Sequence, residues 1–231
     1  MAPTTARRFA AIPAVVLTLL VGACSTTARR PAMTAEEFSQ ATEDLHRPLE
    51  DSVGLLYRLR TAGTGRLGLT VLVDDHGEGR MTVADTFGAT VAVAAWTRGD
   101  QPVLYDLREE CAVRGRGVAG FATLPMDRAV LLMTGALPVR TGDDLRYEDG
   151  AAVITSASWT ARVEIATAPW RITRVEAGDL VIRLSDHDGV VPGRIVVKGA
   201  DESAELELRR LERNRVRRLP DVPDLPWCGA S

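Results

Sequence analysis

The chain has 231 residues, 45% of them hydrophobic and 26% charged, with a formal net charge of −3. A chain of this length supports one sizeable core and buries roughly 70% of the surface its unfolded form exposes. The acidic balance argues against nucleic acid as a partner, and three cysteines without a CxxC pair or a His–Cys cluster argue against zinc.

The first element is an export signal. Arg7-Arg8 precedes an apolar run over 9–21, which ends in Gly22-Ala23-Cys24. A basic segment, an apolar core too short to span a bilayer and small residues at a cut site are the parts of such a signal. Val21-Gly22-Ala23-Cys24 resembles the lipobox of bacterial lipoproteins. That resemblance implies removal of residues 1–23 as a signal peptide, diacylglycerol on the Cys24 sulfur and an acyl chain such as palmitate on its new amine. The alternative is an ordinary export signal beside a coincidental cysteine. Each buried CH₂ contributes about 0.8 kcal/mol, so several acyl chains hold a protein stably to a membrane. No later stretch reaches the roughly 20 apolar residues of a spanning helix, which leaves the lipid as the expected anchor. Once Cys24 is acylated, Cys111 and Cys228 remain. An even remainder in an oxidising compartment predicts a disulfide between them, and two free thiols are the alternative.

Residues 24–33 are small, polar and unpatterned, and read as a tether. Thr34 and Glu37 then form a capping box, and Phe38, Ala41, Leu45 and Leu49 recur at helical spacing until Pro48 limits the helix. From Gly54 the character changes. Runs rich in Val, Ile, Leu and Thr cover 55–60, 67–73, 79–84, 89–97, 102–107 and 111–115. After an interruption they resume over 145–148, 151–156, 160–167, 170–177, 180–186, 193–197 and 204–210. Turn signals such as Asp75-His-Gly, Asp149-Gly150 and Gly178-Asp179 separate them, and connections this short join antiparallel neighbours. His76 and His187 sit in such acidic turns, which read as solvated turns rather than a metal site. The interruption, 124–139, holds a helix-like run from Pro125 to Met133 closed by Gly135 and Pro138, apolar on more than one face. The expected fold is mainly β with helices: a half-open antiparallel barrel of about ten to twelve strands over 34–219. An N-terminal helix and a mid-chain helical lid cover its mouth, and a tail follows over 220–231.

Two segments carry a family resemblance. Asp85-Thr86-Phe87-Gly88-Ala89-Thr90-Val91 is a turn with a large apolar residue before Gly and a strand. Leu131-Leu132-Met133-Thr134-Gly135-Ala136-Leu137-Pro138 has a Leu-Thr-Gly-like core followed by an apolar residue and Pro. With the lipobox and the strand–helix–strand order, they resemble the LolB family of outer-membrane lipoprotein receptors, which shares its fold with the LolA carriers. Thr86 stands where that family has Pro, and the polar Arg140-Thr-Gly-Asp-Asp replaces an expected Trp-rich segment.

The resemblance implies a monomeric lipoprotein anchored in the outer membrane and facing the periplasm. It would accept the acyl chains of lipoproteins from a LolA-like carrier and insert that cargo into the membrane. It implies no enzyme activity, cofactor or metal. Ser25 after the lipid cysteine resembles the outer-membrane-destined class. Phe87 would be the apolar tip that enters the bilayer; its alternative is a cap on the barrel end. Trp96, Leu131, Met133, Ile154, Trp159, Ile165 and Trp170 are the candidate lining of an acyl cavity, or else members of a packed core. Two other functions fit the same sequence: a free-lipid or glycolipid carrier, and a structural or adaptor lipoprotein with a solid core.

Overall fold

A computed structural model describes residues 33–46, 52–61, 63, 65–97, 102–114, 124–157, 159–167, 169–200, 203–214, 216 and 218–228. The signal peptide, the lipid-attachment residue Cys24, most of the tether and Leu49 lie outside the described residues.

The chain starts with helix α1 (Ala35–His46). Its capping box forms as the sequence predicts: Glu37 N donates to Thr34 Oγ1 (3.1 Å), and Thr34 N donates to Glu37 Oε2 (2.7 Å). Six strands follow: β1 (Val53–Thr61), β2 (Gly65–Val73), β3 (Gly79–Ala84), β4 (Thr90–Trp96), β5 (Val103–Asp106) and β6 (Cys111–Arg114). Helix α2 (Met126–Met133) interrupts them. Then come β7 (Asp144–Glu148), β8 (Ala151–Thr155), β9 (Thr160–Ala166), β10 (Arg171–Ala177), β11 (Leu180–Ser185), β12 (Arg194–Lys198) and β13 (Ser203–Arg213). The 13 strands form one antiparallel sheet, against the ten to twelve expected. Each of the thirteen apolar runs read from the sequence forms one of these strands, and even the four-residue β5 and β6 are hydrogen-bonded members of the ladder.

The strand order is β6-β5-β4-β3-β2-β1-β13-β12-β11-β10-β9-β8-β7. The chain therefore begins at the centre, meanders to one edge, crosses through α2 to the other edge, and meanders back. β13 ends beside β1, in register from Val53↔Arg213 to Thr61↔Ala204 with one bulge at Leu56/Tyr57. The edges β6 and β7 are unpaired with each other, so the sheet is open, as a half-barrel requires.

Alternation sets which face is inside. In β1 the residues Val53, Leu55, Tyr57 and Leu59 are buried while Leu56 and Arg60 are exposed. β9, β11 and β12 repeat this with Ala161-Val163-Ile165, Leu180-Ile182-Leu184 and Ile195-Val197. β10 departs from strict alternation because a bulge between Ile172 and Arg174 shifts its register. These inward residues join one cluster, together with Ala41 and Leu45 of α1 and most of α2. A single sheet whose inner faces share one core must curl. The edge β7 is blunted by Asp144, Arg146 and Glu148, a common protection against edge-to-edge pairing.

Candidate functional site

Helix α2 lies against the inner face, with Met126, Ala129, Val130, Leu132 and Met133 buried. Its one buried charge is Arg128, 2% exposed. Arg128 meets Asp143, just before β7, through a two-pronged pair: Nη1 to Oδ2 at 2.7 Å and Nη2 to Oδ1 at 3.0 Å. Nη1 also donates to the Pro138 carbonyl (2.6 Å), and the guanidinium stacks 4.4 Å from the Trp159 ring centroid. Asp143 further accepts from Arg140 N (2.8 Å). Burial pushes the Asp143 carboxyl up, but the hydrogen bonds and charges of Arg128 and Arg140 outweigh it and hold the group below its ordinary range.

The other end of α2 is tied to the centre of the sheet. The Tyr57 hydroxyl of β1 sits 3.1 Å from both the Met133 and the Pro192 carbonyls. Burial pushes its phenol well above the usual value, so it stays a donor. Gly135 follows at φ 83°, and a Cβ there would lie 2.1 Å from the Val190 carbonyl oxygen. Only glycine lets this turn rest on the β11–β12 loop. Leu137 N then donates to Leu45 O (2.9 Å) and joins the turn to α1.

The candidate lining residues are divided between the core and its margin. Trp96, Met133, Ile154 and Ile165 are buried members of the core, Trp159 and Trp170 pack against it half-buried, and Leu131 is half-buried on α2. Trp96 lies across Gly79, its register partner on β3; a Cβ at Gly79 would lie 1.9 Å from the Trp96 ring. Sequence reading missed Tyr57, Arg128 and Asp143. The available signal was an arginine among the apolar residues of α2, beside Asp127 in its first turn; a buried arginine there demands an acidic partner.

Phe87 occupies the tip of the β3–β4 turn and is 95% exposed. Asp85 builds that turn: its Oδ1 accepts from Phe87 N (2.9 Å) and Ala89 N (3.0 Å). Gly88, at φ 84°, donates to the Asp85 carbonyl (3.1 Å). With the turn's polar groups used internally, the ring projects alone into solvent. Register places the start of β7, with Asp143 just before it, and the β8–β9 turn with Trp159 at this same end of the sheet.

This arrangement is similar to that of solved proteins. A LolA superfamily protein from Nitrosomonas europaea matches at a TM-score of 0.50 and 14% identity, covering 83% of this chain and 96% of that one. The fold is LolA-like. A domain assigned to outer-membrane lipoprotein sorting in Vibrio parahaemolyticus matches at 0.49 and 12% identity, over 78% of this chain and 92% of that one. The lipoprotein LppX of Mycobacterium tuberculosis matches at 0.33 and 10% identity, over 79% and 96%. No protein-family model matches the sequence, and no curated protein matches it. At these identities the likeness extends to the LolA-like fold and no further.

The C-terminal tail adds to this fold. After β13, Asn214 N and Val216 N donate to the carbonyl and hydroxyl of Ser52 (2.8 and 3.1 Å). Arg80 Nε, on the outer face of β3, donates to the Pro220 carbonyl (3.2 Å). Ala112 N then donates to Pro226 O, and Cys228 N donates back to Ala112 O. The tail thus crosses the outer face and pairs with edge strand β6, where Cys111 and Cys228 meet with Cα atoms 5.0 Å apart. Trp227 packs beneath Arg114, 4.9 Å from its guanidinium.

Proposed function

We propose that this protein is an envelope lipoprotein, anchored through Cys24 in the outer membrane and facing the periplasm, that binds acyl chains on the inner side of its open sheet. In its most specific form the role is that of a LolB-like receptor. It accepts lipoproteins from a LolA-like carrier and delivers them to the membrane. What supports the reading is Phe87: a large apolar ring, 95% exposed, at a turn tip of a LolA-like sheet whose inner face is apolar. Full transfer of such a side chain from water contributes roughly 1.5–3 kcal/mol, enough to bring one rim of the sheet to a bilayer. Among the described residues no helix is long and apolar enough to cross a membrane, which fits an N-terminal lipid anchor. Transfer needs no nucleotide, only a receptor that holds the chains more tightly than the carrier does.

The test is Phe87→Glu. This change leaves cargo uptake from a LolA-like carrier intact and cripples onward transfer into liposomes, because a carboxylate resists desolvation. Stability stays within about 0.5 kcal/mol, as for other surface substitutions. Normal delivery by a normally stable variant overturns the membrane-tip role. Mass spectrometry of what co-purifies with the soluble Cys24→Ala form separates bound lipoprotein from free lipid, and an empty protein favours the adaptor alternative.

A further inference from the structure

The outer face of the sheet carries a cleft of about 170 Å³ across β10, β11 and β12. Its floor is Val181 and Val196; Arg174, Arg183 and Lys198 surround it, with Asp179 at its lip. These residues point away from the core, since their neighbours Ile182, Ile195 and Val197 are the buried ones. Register explains the convergence. Arg174 pairs directly with Arg183, and Val181 with Lys198, so Arg183 has one cation opposite and another on the diagonal. Like charges placed opposite each other on neighbouring strands destabilise a sheet. Arg174 is partly compensated by Glu164 (3.9 Å) and by Glu176. Among the described residues, Arg183 and Lys198 have no ion-pair partner.

The location gives the cluster its meaning. Lys198 ends β12, and Asp179 turns β10 into β11. Following the pairing through Val197↔Ala204, Thr61↔Ala204, Thr61↔Gly65 and Gly68↔Ala84 leads to the end of the sheet that carries the Phe87 turn. The Asp179 and Lys198 side of the cleft lies at this same end of the sheet.

We propose that the cleft is a binding site for a phosphodiester headgroup of an anionic lipid, engaged while Phe87 enters the same bilayer. The inference rests on the membrane-facing reading of Phe87. A phosphate anion relieves the Arg174–Arg183 repulsion, and Arg183 presents a planar fork suited to two phosphate oxygens. The valine floor accepts the glycerol backbone. Headgroup contact orients the half-barrel and adds affinity that Phe87 alone does not supply.

The experiment uses the soluble Cys24→Ala form and co-sedimentation with vesicles of phosphatidylcholine, with and without phosphatidylglycerol. The wild-type sequence prefers the anionic vesicles, and the preference falls with added salt. Arg183→Gln/Lys198→Gln loses about fivefold in anionic-vesicle affinity per cation removed and keeps its phosphatidylcholine binding and its melting temperature. Phe87→Glu loses binding to both vesicle types, which tests the underlying reading separately. If the double variant binds anionic vesicles as well as the parent, the cleft is not a headgroup site, whatever Phe87→Glu does. Glycerol phosphate in solution is the third arm. Saturation below millimolar concentration assigns the cleft to a soluble phosphate and overturns the lipid source; weak, salt-sensitive shifts of the Val181 and Arg183 amides support it.

Discussion

Asp143→Asn tests how α2 is held. The Arg128 and Asp143 side chains are only 3% and 5% exposed, so solvent screens their pairing little. Asn preserves one acceptor oxygen, but its NH₂ faces the donors of Arg128 or Arg140. Arg128 is left charged and buried, with the Pro138 carbonyl and the Trp159 ring as its remaining partners. Removing one partner of a buried pair costs roughly 3–5 kcal/mol. Those remaining contacts favour the lower end, about 3 kcal/mol. For a domain of this size that lowers Tm by roughly 6–12 °C. The acid limb adds a second readout. The folded-state pKa of Asp143 lies below its unfolded value, so its stabilisation is fully present above the unfolded carboxylate pKa. It is lost as pH falls through the folded one. The parent should therefore lose stability on acidification below about pH 4, and the variant should lack that component. Thermal melts from pH 7 to pH 3 measure both effects. The double variant Arg128→Met/Asp143→Leu should be more stable than either single change, because no unpaired charge stays buried. A Tm within about 1 °C of the parent, or an unchanged acid limb, refutes this account of α2.

Cys24→Ala should release a folded protein from the membrane fraction; retention after a high-salt wash contradicts the lipid-only anchor. Non-reducing mass mapping should link Cys111 to Cys228. The sequence separation of 117 residues gives a chain-entropy contribution of about 4–5 kcal/mol at most, so Cys228→Ala should lower the denaturant midpoint; an unchanged midpoint removes the strap's structural role. Gly135→Ala should cost about 2–4 kcal/mol, since its Cβ meets the Val190 carbonyl at a positive φ, and a neutral result in chemical denaturation contradicts the fixed α2 turn.

What the sequence disclosed and what it hid follow from how local each interaction is. Strands are written in alternation and turn chemistry within a few residues. All thirteen runs read from the sequence are strands, with ends shifted by only a few residues, as for 67–73 against Gly65–Val73. The Thr34–Glu37 cap is equally local. Sheet order is not: nothing in the period of 203–213 says that β13 lies beside β1, because that pairing spans most of the domain. The tail over 220–228 carries no alternation at all; only the Cys111–Cys228 pairing pointed to its place on β6, which is completed by a hydrogen bond from Arg80 to Pro220 and two between Ala112 and Pro226 and Cys228. Phe87 stood out because a large apolar residue in a polar turn breaks a local rule. Tyr57 did not, because a tyrosine in a buried strand breaks none.

The anchors of α2 also bear on how acyl chains could enter. Arg128–Asp143 fixes the helix start, and Tyr57, Gly135 and Leu137 fix its end, each to a different element. Breaking either set costs several kcal/mol, more than one acyl contact returns. Among the described residues, the span between them, Ala129 to Met133, has no polar tie to the sheet except through the Met133 carbonyl. Its Leu and Met side chains can change rotamer without breaking a hydrogen bond, and methionine does so most readily. On the proposed reading, accommodation therefore begins with Leu132 and Met133 repacking within the core they share with the inner face of the sheet. Movement of the whole helix follows only when the Arg128–Asp143 pair opens.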